Sequence, residues 1–273
     1  MNRASPTAEL AVIGGSGFYE LLEGAEQVEV TTPYGPPSGP LAVGELSGRS
    51  VAFLARHGPR HELPPHRINY RANLWALHHL GVSRVFAPCA AGSLRPDIHP
   101  GDMVVCDQLV DRTWGRPDTY FDGPVVDHVT FADPYCPELR GAWVEGGRAA
   151  GVAVTDGGTV VVIQGPRFST RAESAWYRSA GWDVINMTQY PEAVLARELG
   201  LCYSGLALIT DYDTGVEGVE DIAAVTMEAV MEVLRTMVDA TRTVLAGAVA
   251  AVTAERACGC GRGTTGGPLG PAP

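Results

Sequence analysis

Short apolar runs rich in β-branched residues recur along this chain, at Leu10–Ile13, Val51–Leu54, Val82–Ala87, Met103–Val105, Val160–Ile163, Val184–Ile185 and Leu206–Ile209. Most are too short for helices and read as strands. Helical signals fall between them. Asn69–Leu80 follows the Pro64-Pro65 breaker and stops before Gly81. Thr170-Arg171-Ala172-Glu173 has capping-box spacing, and Pro191-Glu192 opens a helix that Gly200 closes. A last helix starting near Thr226 places Val230, Val233, Leu234, Met237, Thr241, Val244, Leu245 and Ala248 on one face. Strands alternating with helices predict a single α/β domain with a mixed, largely parallel central sheet flanked by helices. That domain is expected over residues 1–256, with the Gly- and Pro-rich residues 257–273 forming a disordered tail.

Composition narrows the chemistry. All 20 basic residues are arginine, because the chain has no lysine, so Schiff-base catalysis and a P-loop are both excluded. Phosphate would have to be held by arginine, histidine, hydroxyls and backbone N–H groups. The formal net charge of −11 argues against non-specific nucleic-acid binding. Met1–Glu9 has no apolar signal core, and no apolar stretch is long enough to span a membrane, so a cytoplasmic location is expected. Cys89, Cys106, Cys136 and Cys202 are scattered, which suits reduced thiols better than a disulfide framework.

In open α/β sheets ligands bind beyond the carboxyl ends of the strands. Six of the apolar runs lead into chemistry-bearing residues: Gly14-Gly15-Ser16-Gly17, Arg56-His57-Gly58, Cys89-Ala90-Ala91-Gly92-Ser93, Gln164-Gly165-Pro166-Arg167-Phe168-Ser169, Asn186-Met187-Thr188 and Thr210-Asp211-Tyr212-Asp213. One such end is ordinary loop chemistry; six together point to one shared site. The first is not a dinucleotide fingerprint, since counting from Gly15 the third glycine falls on Glu20. It reads instead as a turn whose amides and Ser16 hydroxyl face an anion. Taken singly, each of the other motifs also has a bland reading, Arg56-His57 as a surface pair and the two aspartates as a solvated turn.

The full set resembles the methylthioadenosine phosphorylases of the purine nucleoside phosphorylase superfamily. The resemblance is carried by Ile13–Gly17, Leu54–Gly58, Ile68–Asn73, Pro100-Gly101-Asp102, Gly165–Ser174, Val184–Thr188 with Pro191-Glu192, and Thr210–Asp213, and it runs from about Val12 to about Leu245. It implies a phosphate site of Ser16, Arg56, His57, the Ala90 amide and Thr188. It also implies a nucleoside site in which Met187 lies along the ribose and Phe168 against the adenine. Met227 and Val230 would line the 5' pocket, and Thr210, Asp211 and Asp213 would face the base. His128 would reach a neighbouring subunit's nucleoside, because the family is typically trimeric. The resemblance implies no metal and no cofactor, with inorganic phosphate as co-substrate. Some heat-adapted relatives carry a C-terminal Cys-x-Cys and internal disulfides; for Cys136, Cys202, Cys258 and Cys260 the expectation is inert thiols.

The residues fit phosphorolysis of an N-glycosidic bond. Arg56, His57 and the hydroxyls of Ser16 and Thr188 can set phosphate beneath C1'. The departing purine needs a proton at N7, and a carboxylic acid raised by burial suits that task. Asp211 is expected to take it, with Asp213 helping to hold the 6-amino group, so that the pair together selects the base. A carboxylate accepts from an amine but opposes a 6-oxo group, so the expected reaction releases adenine from methylthioadenosine. The alternatives are a 6-oxopurine nucleoside or methylthioinosine phosphorylase, or an enzyme acting on another 5'-substituted 5'-deoxyadenosine.

Overall fold

The computed structural model describes residues 7–15, 22, 24–216 and 224–262. Among them eleven strands form one sheet: β1 (Leu10–Gly14), β2 (Glu26–Val28), β3 (Leu41–Leu46), β4 (Arg49–Ala55), β5 (Arg84–Ser93), β6 (Met103–Val105), β7 (Gln108–Arg112), β8 (Thr155–Asp156), β9 (Thr159–Ile163), β10 (Val184–Asn186) and β11 (Cys202–Asp211). The helices are α1 (Tyr70–His79), α2 (Pro137–Ala150), α3 (Arg171–Ser179), α4 (Gln189–Glu198) and α5 (Met227–Ala251). Six of the seven runs predicted as strands lie within strands, and the seventh, Val82–Ala87, enters β5 at Arg84. Of the strands not predicted, β2, β7 and β8 are short or largely exposed, and in β3 the apolar start Leu41-Ala42-Val43 is cut off by Gly44 and Glu45.

The sheet splits at β5. Arg84–Phe86 of β5 pairs in parallel with β1, which itself pairs in parallel with β4. On its other side β5 runs parallel to β11 along almost its whole length, as far as Gly92↔Asp211, while on the β1 side its last residues meet β10 antiparallel through Gly92↔Ile185 and Ser93↔Val184. β1, β5 and β11 are buried throughout or nearly so. Their carboxyl ends therefore converge between the two branches, and the split opens a cleft there.

The expected helices start where their caps predict. Asn69 accepts from the Ala72 amide at 3.2 Å, and Thr226 from the Ala229 amide at 3.2 Å. Thr170 and Glu173 form the reciprocal capping box, Thr170 N donating to Glu173 Oε2 at 2.7 Å. Tyr190 is extended (φ −112°, ψ 131°), so regular α4 begins at Pro191. Helix α2 was not expected, because glycines interrupt its pattern. They serve close packing: a Cβ on Gly146 would stand 2.6 Å from Ala248 N, so α2 and α5 cross backbone to backbone. On α5 the predicted face is buried except at Val233, with Val249 buried in addition.

The C-terminal boundary needs correction. Residues 257–262 do not leave the body of the protein at 257. The Ala257 amide donates to Glu138 at 2.7 Å, and Cys260 is 3% exposed. Residues 263–273, the rest of the expected tail, lie outside the described residues.

Candidate active site

The cleft encloses a cavity of about 490 Å³, within the range that takes a small organic ligand. Gly15, Arg56, His57, Ala90, Phe168, Met187, Thr188, Thr210, Asp211, Asp213, Met227 and Val230 all line it. The expected site residues thus come together from β4, β5, β10, β11, the loop after β9 and the start of α5. Two do not join them. Ser16 lies outside the described residues. His128 is exposed on the segment between β7 and α2 and does not line the cavity.

One end is cationic. Arg56 is fully buried at the end of β4, and its guanidinium is gripped by Glu192 of α4, with Nε to Oε1 at 2.6 Å and Nη2 to Oε2 at 3.1 Å. Nη2 also donates to Ile13 O, and Nη1 to Pro88 O, both at 3.1 Å. These bonds use four of its five N–H groups. Burial opposes its charge, but the Glu192 carboxylate more than offsets that, so Arg56 stays a cation. Nη1 lies 3.2 Å from where a Gly15 Cβ would be, so the bare Gly15 turn is where an anion can approach it.

Beside it, His57 is held neutral. Burial and the Arg56 charge lower its pKa to about 4. Its Nδ1 lies 2.8 Å from Leu63 O. In neutral imidazole the proton belongs on Nδ1 to satisfy that carbonyl, which leaves Nε2 as an acceptor. The ring packs against His61 at a tilt of 34°, with 4.7 Å between centroids. An arginine cation beside an accepting imidazole suits a phosphate that still carries one O–H.

The other end is acidic. Asp211 closes β11 next to a register shift against β5, and burial raises its carboxyl pKa to about 6, against the bonds from Thr210 and the Asp213 amide. Asp213 N donates to Asp211 Oδ1 at 2.8 Å. Thr210 Oγ1 lies 2.7 Å from Asp211 Oδ2 and 3.3 Å from Ala91 O. One hydroxyl proton cannot serve both acceptors. If Asp211 is protonated on Oδ2, it donates to Thr210, which donates to Ala91, and every group is satisfied. Asp213 sits in the left-handed region (φ 50°), which Asp tolerates better than most residues. Burial raises its pKa as well, opposed by the hydroxyls of Ser174 and Ser169, and its Oδ2 is buried without a hydrogen-bond partner. A buried orphan acceptor is costly, and a ligand N–H would satisfy it.

Between the ends the walls are apolar, from Phe168, Met187, Ile185 and Val230, with half-exposed Met227 at the rim. Three supporting residues escape prediction from motifs. Glu192 appears as a helix opener, and its partnership with Arg56 spans 136 positions. Gly92 admits Asp211, since a Cβ there would lie 2.8 Å from Oδ1. Gln189 of α4 donates to Cys89 Sγ at 3.3 Å and tightens the floor beneath Ala90.

The arrangement is an α/β fold with a buried arginine and a pair of aspartates lining one cleft. The chain belongs to the phosphorylase superfamily, whose family model matches residues 9–250. It is 58% identical over 251 residues to an S-methyl-5'-thioadenosine phosphorylase of Mycolicibacterium smegmatis, covering 91% of this chain and 93% of that one. It is 55% identical over 264 residues to a purine nucleoside phosphorylase of Streptomyces coelicolor, covering 93% of each. Among solved structures, methylthioadenosine phosphorylase from Schistosoma mansoni in complex with adenine matches with a TM-score of 0.85 at 37% identity, covering 92% of this chain and 93% of that one.

Proposed function

We propose that this chain is a pentosyltransferase that cleaves S-methyl-5'-thioadenosine with phosphate, yielding adenine and 5-methylthioribose 1-phosphate. The observation that carries the reading is the pairing of Asp211, poised near neutrality, with Asp213, whose buried Oδ2 lacks a donor, across the cavity from Arg56 and His57. The M. smegmatis relative and the S. mansoni structure carry names that agree with it.

In the reaction a phosphate oxygen supplies the electron pair for the new bond to C1', and the C1'–N9 pair leaves with the base. Arg56 Nη1 and the Gly15 turn hold the phosphate, with Thr188 and the Ala90 amide, and His57 Nε2 accepts its O–H. Ser16 is assigned to the same group. Asp211 gives its proton to N7 as the bond breaks, and its raised pKa makes that proton available near neutral pH. Asp213 together with Asp211 accepts from the 6-amino group, and the Thr210 hydroxyl turns from Ala91 O to donate to the Asp211 carboxylate left behind. Phe168 stacks on the base, Met187 lies along the ribose, and Met227 and Val230 receive the methylthio group. No redox change occurs and phosphate is the co-substrate, so the reaction calls for no organic cofactor.

The same reading makes the protein a cytoplasmic homotrimer. Val125 and Val126 are 64% and 71% exposed beside His128, which suits a segment covered by a second subunit and a His128 that completes a neighbour's site. No helix among the described residues is long and apolar enough to cross a membrane.

The name of the S. coelicolor relative favours a second reading, a 6-oxopurine nucleoside phosphorylase. Purified protein assayed with phosphate on methylthioadenosine, adenosine and inosine separates the two. Adenine release with little hypoxanthine supports the proposal; a preference for inosine overturns it.

A further inference from the structure

Four of the chain's six cysteines converge away from the cavity. Cys136 is the N-cap of α2, Cys202 opens β11, and Cys258 and Cys260 come from the segment after α5. The ligand atoms of all four lie within 4.8 Å of one another, and three of the residues are buried. All four are free thiols, with Cys202 and Cys258 Sγ 3.3 Å apart. The expectation of scattered, inert cysteines is corrected to this extent: the fold gathers them at one point.

We propose that these four cysteines bind one Zn²⁺ ion as a structural tetrathiolate site. Tetrahedral zinc with Zn–S of about 2.3 Å sets its sulfurs about 3.8 Å apart, well inside the observed span. A donor set of sulfur alone selects zinc or another thiophilic cation over magnesium or calcium. Four protein ligands leave no position for water, so the site serves structure and not catalysis.

The surroundings suit the charge. Coordination releases the four thiol protons to solvent and leaves the complex with a net charge of −2. Arg256 Nη1 reaches to 3.9 Å from Cys202 Sγ. Cys136 stands at the N-terminal end of the 14-residue α2, whose positive pole faces the negatively charged complex. Gly259, with open space around its Cα, lets the Cys258-Gly259-Cys260 turn present both sulfurs to one ion. The ion would also explain how residues 252–262 dock with little apolar surface of their own, since the other anchors are polar: Arg256 to Gly200 O at 2.9 Å and Ala257 N to Glu138. Cys202 and Asp211 lie at opposite ends of β11, so the metal braces the strand that carries the acids without touching substrate.

The test uses the full-length, untagged chain purified under reducing conditions. Elemental analysis is expected to find one zinc per chain, and exchange for cobalt is expected to give the ligand-field bands of a tetrahedral cobalt thiolate. Both should vanish in Cys258→Ser/Cys260→Ser, and chelation should lower the thermal midpoint. If the double variant does not fold, the cobalt spectrum of the unaltered chain decides alone. A reduced chain that takes up no stoichiometric zinc or cobalt overturns the proposal, as do Cys136, Cys202, Cys258 and Cys260 joined in disulfides that yield no metal site on reduction.

Discussion

Glu192 holds Arg56 by two hydrogen bonds, at 2.6 and 3.1 Å, with both side chains only 1% exposed. Tyr203 donates to the same carboxylate at 2.8 Å. Breaking such a pair leaves a buried charge unmatched, so Glu192→Ala should cost about 3–5 kcal/mol of stability, read by denaturant unfolding. Glu192→Gln keeps the shape but sets an amide N–H₂ against the guanidinium. It should raise the KM for phosphate several-fold while kcat at saturating phosphate falls less. Equal losses in both would mean that Glu192 does not work by positioning Arg56.

Arg56→Lys tests the same relationship from the other side. A lysine amine cannot span Glu192, Ile13 O and Pro88 O together. The variant should lose phosphate-dependent activity by at least about tenfold, or about 1.4 kcal/mol, measured as kcat/KM for phosphate. Activity near that of the unaltered chain would remove Arg56 from the anion site.

Asp211 and His57 should pull stability in opposite directions with pH. The Asp211 pKa is raised to about 6 on folding, so its contribution is whole below about pH 4 and is lost as pH rises through 6. The His57 pKa is lowered to about 4, so its contribution is whole above about pH 6.5 and is lost as pH falls through 4. Each is worth on the order of 3 kcal/mol across its window. Relative to the unaltered chain, Asp211→Asn should gain stability between pH 4 and 7.5, and His57→Gln should gain it between pH 7.5 and 4. Unfolding free energies at these pH values check both signs; parallel profiles would show that neither group titrates as described.

Asp211→Asn should also separate stability from catalysis. Its amide can accept from Asp213 N and donate to Thr210 Oγ1, which then donates to Ala91 O, so every bond is kept. The variant is expected to melt higher than the unaltered chain at pH 7.5 and to lose adenine-nucleoside cleavage far more than inosine cleavage. Equal loss on both substrates would remove Asp211 from base selection.

Gly92 of β5 pairs with Asp211 of β11 and with Ile185 of β10, and an added Cβ would meet Asp211 Oδ1 at 2.8 Å and Ile185 Cγ2 at 3.0 Å. Gly92→Ala should therefore displace Asp211 and lower kcat on methylthioadenosine by about tenfold or more, with far-UV circular dichroism unchanged. Full activity would show that the acid moves aside without consequence.

The sequence by itself determined most of the α/β alternation, the helix caps, and the residues that meet at the cleft. Those features are local: a run of Val and Ile, a Thr three residues before a Glu, an Asp after a strand. It also determined that phosphate has no lysine to bind. Only the tertiary structure decided what depends on partners far apart in the chain. Asp211 reads as a plain acid until burial and the Thr210–Ala91 chain raise its pKa. Arg56 reads as an open phosphate ligand until Glu192, 136 positions away, is seen to occupy most of its donors. The β2, β7 and β8 strands carry no apolar run because each is short or largely exposed, the run of β3 is cut off by Gly44, and α2 hides behind the glycines that let α5 approach. Four cysteines that look unrelated along the chain become one cluster because α2 and β11 begin where the segment after α5 comes to lie.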